Sequence, residues 1–404
     1  MKTTILHIAQ LVRSALKTSF LHHVEPASEK SEKSTISSQA TCVGSHLHGD
    51  ALAVANQLDG KVLRLSDLTK VFASWPTATN KHVHELEALV DSLLERVVTN
   101  ERKLKALKQA DFARLMSLWY PDAEWPELVV ATAYSVWIFV WDDEIDAGDT
   151  DAATNEELAQ VYYKQSLAYI HSQLGLDKDD EHADIEAPHQ NMALFADVGQ
   201  GVRETTDVQQ RQRFFDELEN FMLQVSVEHS HRMAGTMPTT EEYMDIRSGS
   251  VGCAPQIAIT DYMLKIRLPE PIMECAAMRS LWRETIYICL ILNDVYSVQK
   301  EIVQGSLLNI VPVMFHNMKQ DQRNMDAVSR DLDVALEETM ERFEAAAEEL
   351  EVMAPEGSEL RSNILNFIKW CRYFITGVLY WSLESRRYGM AKCINADGTL
   401  SIVL

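Results

Sequence analysis

From Lys81 to Arg387 the chain repeats apolar residues at intervals of three and four, with short interruptions. That period leaves little but helices to build from. In His82–Ala106, for example, Leu86, Leu89, Val90, Leu93, Leu94 and Val97 fall on one face. The pattern predicts further helices over Ala110–Leu118, Leu128–Asp142, Asn155–Leu174, Asn191–Val202, Asp207–Met233, Thr240–Val251, Ala254–Lys265, Pro269–Val303, Ser306–Asn317, Gln322–Met353 and Ser358–Arg387. Thr239 and Thr240, after the Gly235–Pro238 break, have the chemistry of helix caps. No run of alternating β-branched residues competes, and helix breakers are few, with 15 Gly and 11 Pro in 404 residues. The fold expected is all-α, a single-domain helical bundle.

Composition narrows the function. A net charge of −23 argues against a nucleic-acid partner, which needs a basic surface to meet phosphates. A small phosphorylated ligand remains open, given local cations or bound metal. Six cysteines without a CxxC pair read as reduced thiols of an intracellular, cytoplasmic protein. The longest nearly apolar run, Val129–Trp141, is too short to span a bilayer. Before Glu25 there is no acid, and Ile5, Ile8, Val12, Leu16 and Phe20 fall at helical spacing. This segment reads either as an organelle-targeting helix or as a poorly ordered extension. Residues Glu25–Asp50 are polar and read as a linker or tail.

Two constellations carry chemistry. The first, Trp141-Asp142-Asp143-Glu144-Ile145-Asp146, ends a strongly apolar helix. Asp142 and Asp146 share a face at i, i+4, and Asp143 sits beside them. Clustered carboxylates repel unless a cation sits among them, and hard oxygen donors suit Mg²⁺ shared with substrate phosphates. The bland alternative is a solvated helix end, although acids there oppose the helix dipole. A second acidic cluster, Asp177, Asp179, Asp180, Glu181 and Asp184, has no apolar helix leading into it and reads as an exposed loop.

The second constellation runs from Asn293 to Glu301. Asn293, Ser297 and Glu301 lie at i, i+4, i+8, so one helix face presents an amide oxygen, a hydroxyl and a carboxylate in line. Cys289, Ile286 and Trp282 precede them on that face. A buried polar stripe without a ligand is costly, so this spacing is more specific than an acidic cluster.

A DDxxD-type motif followed some 150 residues later by NDxxSxxxE resembles the class I terpene cyclases, closest to the fungal sesquiterpene synthases. Three other segments are similar to that family: Trp119-Tyr120-Pro121-Asp122; Pro238 to Arg247; and Gly377 followed by Trp381 to Tyr388. The resemblance runs from about Trp75 to Tyr388. It implies a class I terpenoid synthase bundle with a central active-site cavity over residues 71–390. Residues 1–70 would be a variable, partly disordered extension and 391–404 a C-terminal tail. It implies an isoprenyl diphosphate substrate and three Mg²⁺ ions, with Asp142, Asp143 and Asp146 on one side and Asn293, Ser297 and Glu301 on the other. Arg247, Lys300, Arg387 and Tyr388 would hydrogen-bond the diphosphate. Ser250 and Val251 would fall at a helix break whose carbonyl aids ionisation. Taken alone, Arg387 could equally be a surface cation and Tyr388 ordinary packing.

A carbocation needs a dry pocket with π faces. Candidates are Trp137 and Ile138, Trp282 and Ile286, and above all Trp381, expected two turns before Tyr388 on one helix face. Core packing is the alternative for each. A chain-elongating prenyltransferase would carry a second DDxxD motif where this chain has Asn293–Glu301. A diterpene cyclase would share both motifs. From another class, a helical scaffold could retain a vestigial site. Oligomeric state is left open by the sequence, and no stable membrane insertion is expected.

Overall fold

The computed structural model describes residues 47–146, 150–177 and 186–404, and of Asp146 the backbone alone. The amphipathic segment before Glu25 and most of the acidic cluster after Asp177 lie outside these residues. The structure is a bundle of helices. Those that matter below are Gly49–Leu58 (α1), Val83–Val97 (α2), Glu101–Lys108 (α3), Phe112–Trp119 (α4), Trp125–Asp146 (α5), Glu156–Gln173 (α6), Ala193–Arg203 (α7), Val208–Ala234 (α8), Thr240–Ser250 (α9), Cys253–Ala258 (α10), Ala276–Gln304 (α11), Ile310–Asn317 (α12), Met325–Val352 (α13) and Glu359–Glu384 (α14).

Local chemistry sets their ends. Asp207 and Gln210 form a capping box at the start of α8, and Thr239 and Glu242 another at the start of α9. The expected single stretch His82–Ala106 is two helices. Val98 turns extended, and the Asn100 side chain accepts from Lys103 N to cap α3. The stretch Ala254–Lys265 also divides, into α10 and a short helix Thr260–Leu264.

Helix α5 is apolar on nearly all sides, which suits a helix buried in the middle of a bundle. Trp137, fully buried, meets Phe195 at 4.8 Å, and Tyr134 meets Phe214 at 5.3 Å. Helix α11 packs along α13 and α14, and α8 along α9 and α10. Gly377 lets α14 approach α4: a Cβ there would stand 2.5 Å from the Trp119 ring.

Two segments depart from the sequence expectation. Residues placed in the extension and the tail pair as an antiparallel ladder, Val62–Leu65 (β1) with Leu400–Val403 (β2), Val62 opposite Val403. Leu63 and Ile402 are fully buried. Four-residue strands are too short to show a period, and their pairing spans the whole chain, so neither was visible locally. Helix α1 begins inside the supposed linker, and Ala51 N donates to the Gly235 carbonyl at the end of α8.

Candidate active site

A cavity of ≈ 700 Å³ opens among α3, α5, α8, α9, α10, α11 and α14, within the range of about 300–1,000 Å³ usual for small-molecule sites. Asp142 and Asp143 reach it from the last turns of α5, and Asn293, Ser297, Lys300 and Glu301 from α11. Arg247, Ser250 and Val251 line it from the end of α9, and Trp381, Arg387 and Tyr388 from α14 and the turn beyond. Asp146 closes α5, and its side chain lies outside the described residues. Asp177 is exposed and bonded to His171 at 2.8 Å, away from this cavity.

The α11 stripe is held by a polar network. Arg247 donates from Nε to Asp294 Oδ1 at 3.0 Å and from Nη2 to Asn293 Oδ1 at 2.9 Å. Asp294 also accepts from the Tyr243 hydroxyl at 2.5 Å and from Ile310 N at 2.8 Å. Asn309 donates to Glu301 at 2.8 Å. Burial opposes the charge of Arg247, but Asp294, Tyr243, Glu228 and Glu301 hold it well above its ordinary range. Burial pushes the Glu301 carboxyl up, Asp294 adds to this, and Arg247, Ser297 and Asn309 pull the other way.

Arg387 is not a surface cation. Its side chain is 14% exposed, 3.9 Å from Asp143 and over the Phe139 ring at 5.2 Å. Its Nε is buried without an acceptor. Tyr388 accepts from Asn293 Nδ2 at 3.2 Å, which joins the two ends of the site. The helix expected to reach Arg387 stops at Glu384, where Ser385 turns extended. Trp381 and Tyr388 therefore do not share a helix face. The turn brings their rings together edge to face, 5.6 Å apart.

Seven basic and four acidic side chains line the cavity, a local positive excess within an acidic chain. Its deeper walls include Trp119, Ile138, Phe139, Phe221, Phe374, Val378 and Trp381. Of the aromatic and aliphatic candidates from the sequence, Ile138 and Trp381 line it. Trp137, Trp282 and Ile286 do not, because their rotation on the helix sends them into packing elsewhere. Trp381 is also anchored, its Nε1 donating to Ala110 O at 2.7 Å and Asp111 O at 3.1 Å.

Helix α9 ends at Ser250, and Gly252 takes a left-handed conformation (φ 73°) before α10 restarts. Glycine suits that φ without strain. The break falls beside Ser250 and Val251, where the resemblance implies one.

The donor atoms fit a divalent cation. Among the described residues no three carboxylates or imidazoles converge to make a complete protein cage. Two carboxylates on α5 and an amide, hydroxyl and carboxylate on α11 line one cavity instead, all hard oxygens, as suits ions that share phosphate ligands. Sequence reasoning missed Glu228, Tyr243 and Asn309. Asp294 stood inside the motif, yet its role as anchor of Arg247 becomes visible only with the fold.

A helical bundle with one large cavity, acidic at one helix end and amide-hydroxyl-carboxylate on another, is the class I terpenoid synthase fold. Residues 133–349 match the model of terpene synthase family 2, C-terminal metal binding, and the chain belongs to this family. It is 27% identical over 362 residues to the sesquiterpene cyclase hepA of Aspergillus oryzae, covering 87% of this chain and 96% of that one. It is 26% identical over 331 residues to the terpene cyclase braA of Annulohypoxylon truncatum, covering 81% and 86%. Among solved structures it is similar to an α-eudesmol synthase, with a TM-score of 0.64 at 17% identity over 76% of this chain and 97% of that one. No described helix is long and apolar enough to cross a membrane.

Proposed function

We propose that this terpene synthase is a cytoplasmic sesquiterpene cyclase that ionises farnesyl diphosphate with Mg²⁺ and closes the carbocation into rings. The observation that carries the reading is the convergence of both oxygen-donor sets and four diphosphate-binding candidates on one ≈ 700 Å³ cavity with aromatic walls. The C15 chain length rests on relatives named sesquiterpene cyclases. The catalytic domain in this reading is 71–390, with β1 of the β1–β2 ladder packed against α13.

Asp142, Asp143 and Asp146 on one side and Asn293, Ser297 and Glu301 on the other would hold the ions, three by family resemblance. When bound, they supply the positive charge that lets a diphosphate leave. The chain's own cations do the rest of the anchoring. Arg247, Lys300 and Arg387 offer N–H donors and Tyr388 its hydroxyl, and the Arg387 Nε has a donor to spare. As the C1–O bond breaks, its electron pair leaves with the diphosphate. The last carbonyls of a helix lack partners within it, so those of Ser250 and Val251 present negative dipoles near the nascent cation. Phe139, Phe221 and Trp381 line the cavity, and their rings would exclude water and stabilise the migrating charge.

The test is a panel of geranyl, farnesyl and geranylgeranyl diphosphates with Mg²⁺, each extract analysed by gas chromatography and mass spectrometry. Cyclic C15 products from farnesyl diphosphate, with the highest kcat/KM of the three, are expected. A longer linear diphosphate would make the chain an elongating prenyltransferase, and preferred cyclisation of the C20 substrate a diterpene cyclase.

A further inference from the structure

One buried amide sits among the apolar walls at the deep end of the cavity. On α14, Phe374 lies about two turns before Trp381, and so about 10 Å further from the Arg387 end. Phe374 stacks on Trp370 with ring centroids 5.1 Å apart, and Trp370 stacks on Tyr120 at 5.9 Å. The Tyr120 hydroxyl accepts a hydrogen bond from Nε2 of Gln256, which lines the cavity from α10. Gln256 therefore belongs to the Phe374 end, remote from both donor sets.

Gln256 is 2% exposed. The other wall amides outside the α11 motif, Asn100, Gln109 and Gln304, are exposed and can bond water. A buried amide is costly unless its groups are bonded. Tyr120 satisfies the N–H side alone, and the side-chain carbonyl of Gln256 accepts no hydrogen bond among the described residues. An apolar side chain of the same length would fill the space without that cost. Packing does not account for Gln256, and its carbonyl dipole is left to whatever occupies the cavity.

We infer that Gln256 is a further catalytic residue, whose side-chain carbonyl faces the cavity and stabilises positive charge at the distal end of the prenyl chain, with Tyr120 as the positioning residue that fixes the amide. The inference rests on the proposed reading of the chain as a farnesyl diphosphate cyclase. With the diphosphate at the Arg387 end, the last double bond of the substrate extends toward Phe374. When the π pair of that bond joins C1, the positive charge moves from C1 to the distal carbon, and the diphosphate keeps the pair it left with. The departed anion is then remote, and a fixed carbonyl dipole supplies the negative partner. An amide does this without the nucleophilicity of a carboxylate, which would capture the cation as an ester. Gln256 thus acts after ionisation, on which cation persists and not on how fast diphosphate leaves.

Two readouts on the purified full chain with farnesyl diphosphate and Mg²⁺ test this, beside a thermal melt: the rate of diphosphate release, and the product distribution by gas chromatography and mass spectrometry. Gln256→Met keeps the length and removes the dipole. Diphosphate release should stay within about threefold of the parent, while the share of the parent's main cyclic product falls about fivefold, the effect of one polar contact. Tyr120→Phe frees the amide to turn and should shift the profile in the same direction, by a smaller factor. The double variant should match Gln256→Met alone. An unchanged profile in Gln256→Met, whatever its melting temperature, would make Gln256 a core residue and overturn the inference. A parent-like profile in Tyr120→Phe, or diphosphate release that falls in step with the main product, would overturn it as well. If Gln256→Met does not fold, Tyr120→Phe decides on the same criteria. A parent that releases no diphosphate from farnesyl diphosphate sinks the underlying reading, whereas a releasing parent with unshifted variants sinks this inference alone.

Discussion

Arg247 and Asn293 meet at the cavity wall, guanidinium Nη2 donating to amide Oδ1 at 2.9 Å. On the proposed reading that oxygen is one of three that α11 offers to a cation, so the arginine and a metal ion would compete for it. Asp294, next in sequence, holds the same guanidinium from the other side. On the same reading, the diphosphate-binding arginine and a metal-binding amide hold each other here, and an anion that drew Arg247 away would free Asn293.

Competition gives the first prediction a distinctive sign. Without diphosphate, Arg247→Ala should bind Mn²⁺ about three- to tenfold more tightly than the parent, because a cation and a blocking donor are gone. Turnover should nevertheless collapse. Electron paramagnetic resonance titration of free Mn²⁺ measures the affinity. Equal or weaker binding in the variant would show that the two do not compete.

The two donor sets should act as one site. Asn293→Ala and Ser297→Ala should each lower kcat by about a hundredfold, and Asp177→Ala, at an exposed acid paired with His171, should leave it unchanged. Steady-state kinetics on the three variants, with matched circular dichroism, decides. An inactive Asp177→Ala beside active α11 variants would move the metal site elsewhere.

Trp381 has two duties in the structure, a cavity wall and an anchor whose indole N–H bonds Ala110 and Asp111. Trp381→Leu should therefore cost about 3 kcal/mol of stability and also raise the share of linear or early-quenched products, since the π face is lost. Trp381→Phe should largely restore the product ratio without the hydrogen bonds. Thermal melts beside mass-spectrometric product profiles separate the duties. A lowered melting temperature with an unchanged profile would leave Trp381 a core residue only.

The helices, both metal-type motifs and the break near Ser250 were legible in the sequence because each is written in local spacing: three and four for helices, four and eight for the donor stripe on α11, a glycine beside a helix end. What was hidden depends on contacts between distant segments. Glu228 is one acid among many on α8 until the fold sets it against Ser250. Trp137 and Trp381 look alike as aromatic residues before a polar motif, yet helix rotation sends one to the core and the other to the cavity. The pairing of Val62–Leu65 with Leu400–Val403 has no local signature at all.

Away from the site, Asp261 makes a pH prediction. It is 4% exposed, and its Oδ1 finds no donor. Burial pushes its carboxyl up to about 6, against a pull from Arg213 and Gln210. Between about pH 4 and pH 6 the folded chain keeps a proton that the unfolded chain has lost, so this group's contribution to stability falls as pH rises. Asp261→Asn should remove that slope and stabilise the protein by about 2 kcal/mol at pH 7 relative to its effect at pH 4. Melting temperatures of parent and variant across this window give the answer, and parallel curves would contradict it.

The central claim is that divalent metal held by the two donor sets drives ionisation of an isoprenyl diphosphate. Release of inorganic diphosphate from farnesyl diphosphate, followed continuously in excess EDTA and then after Mg²⁺ is restored, tests it most directly. The account predicts no release above background under chelation and full recovery with Mg²⁺, accompanied by cyclic C15 products. Release that continues undiminished in EDTA would contradict it.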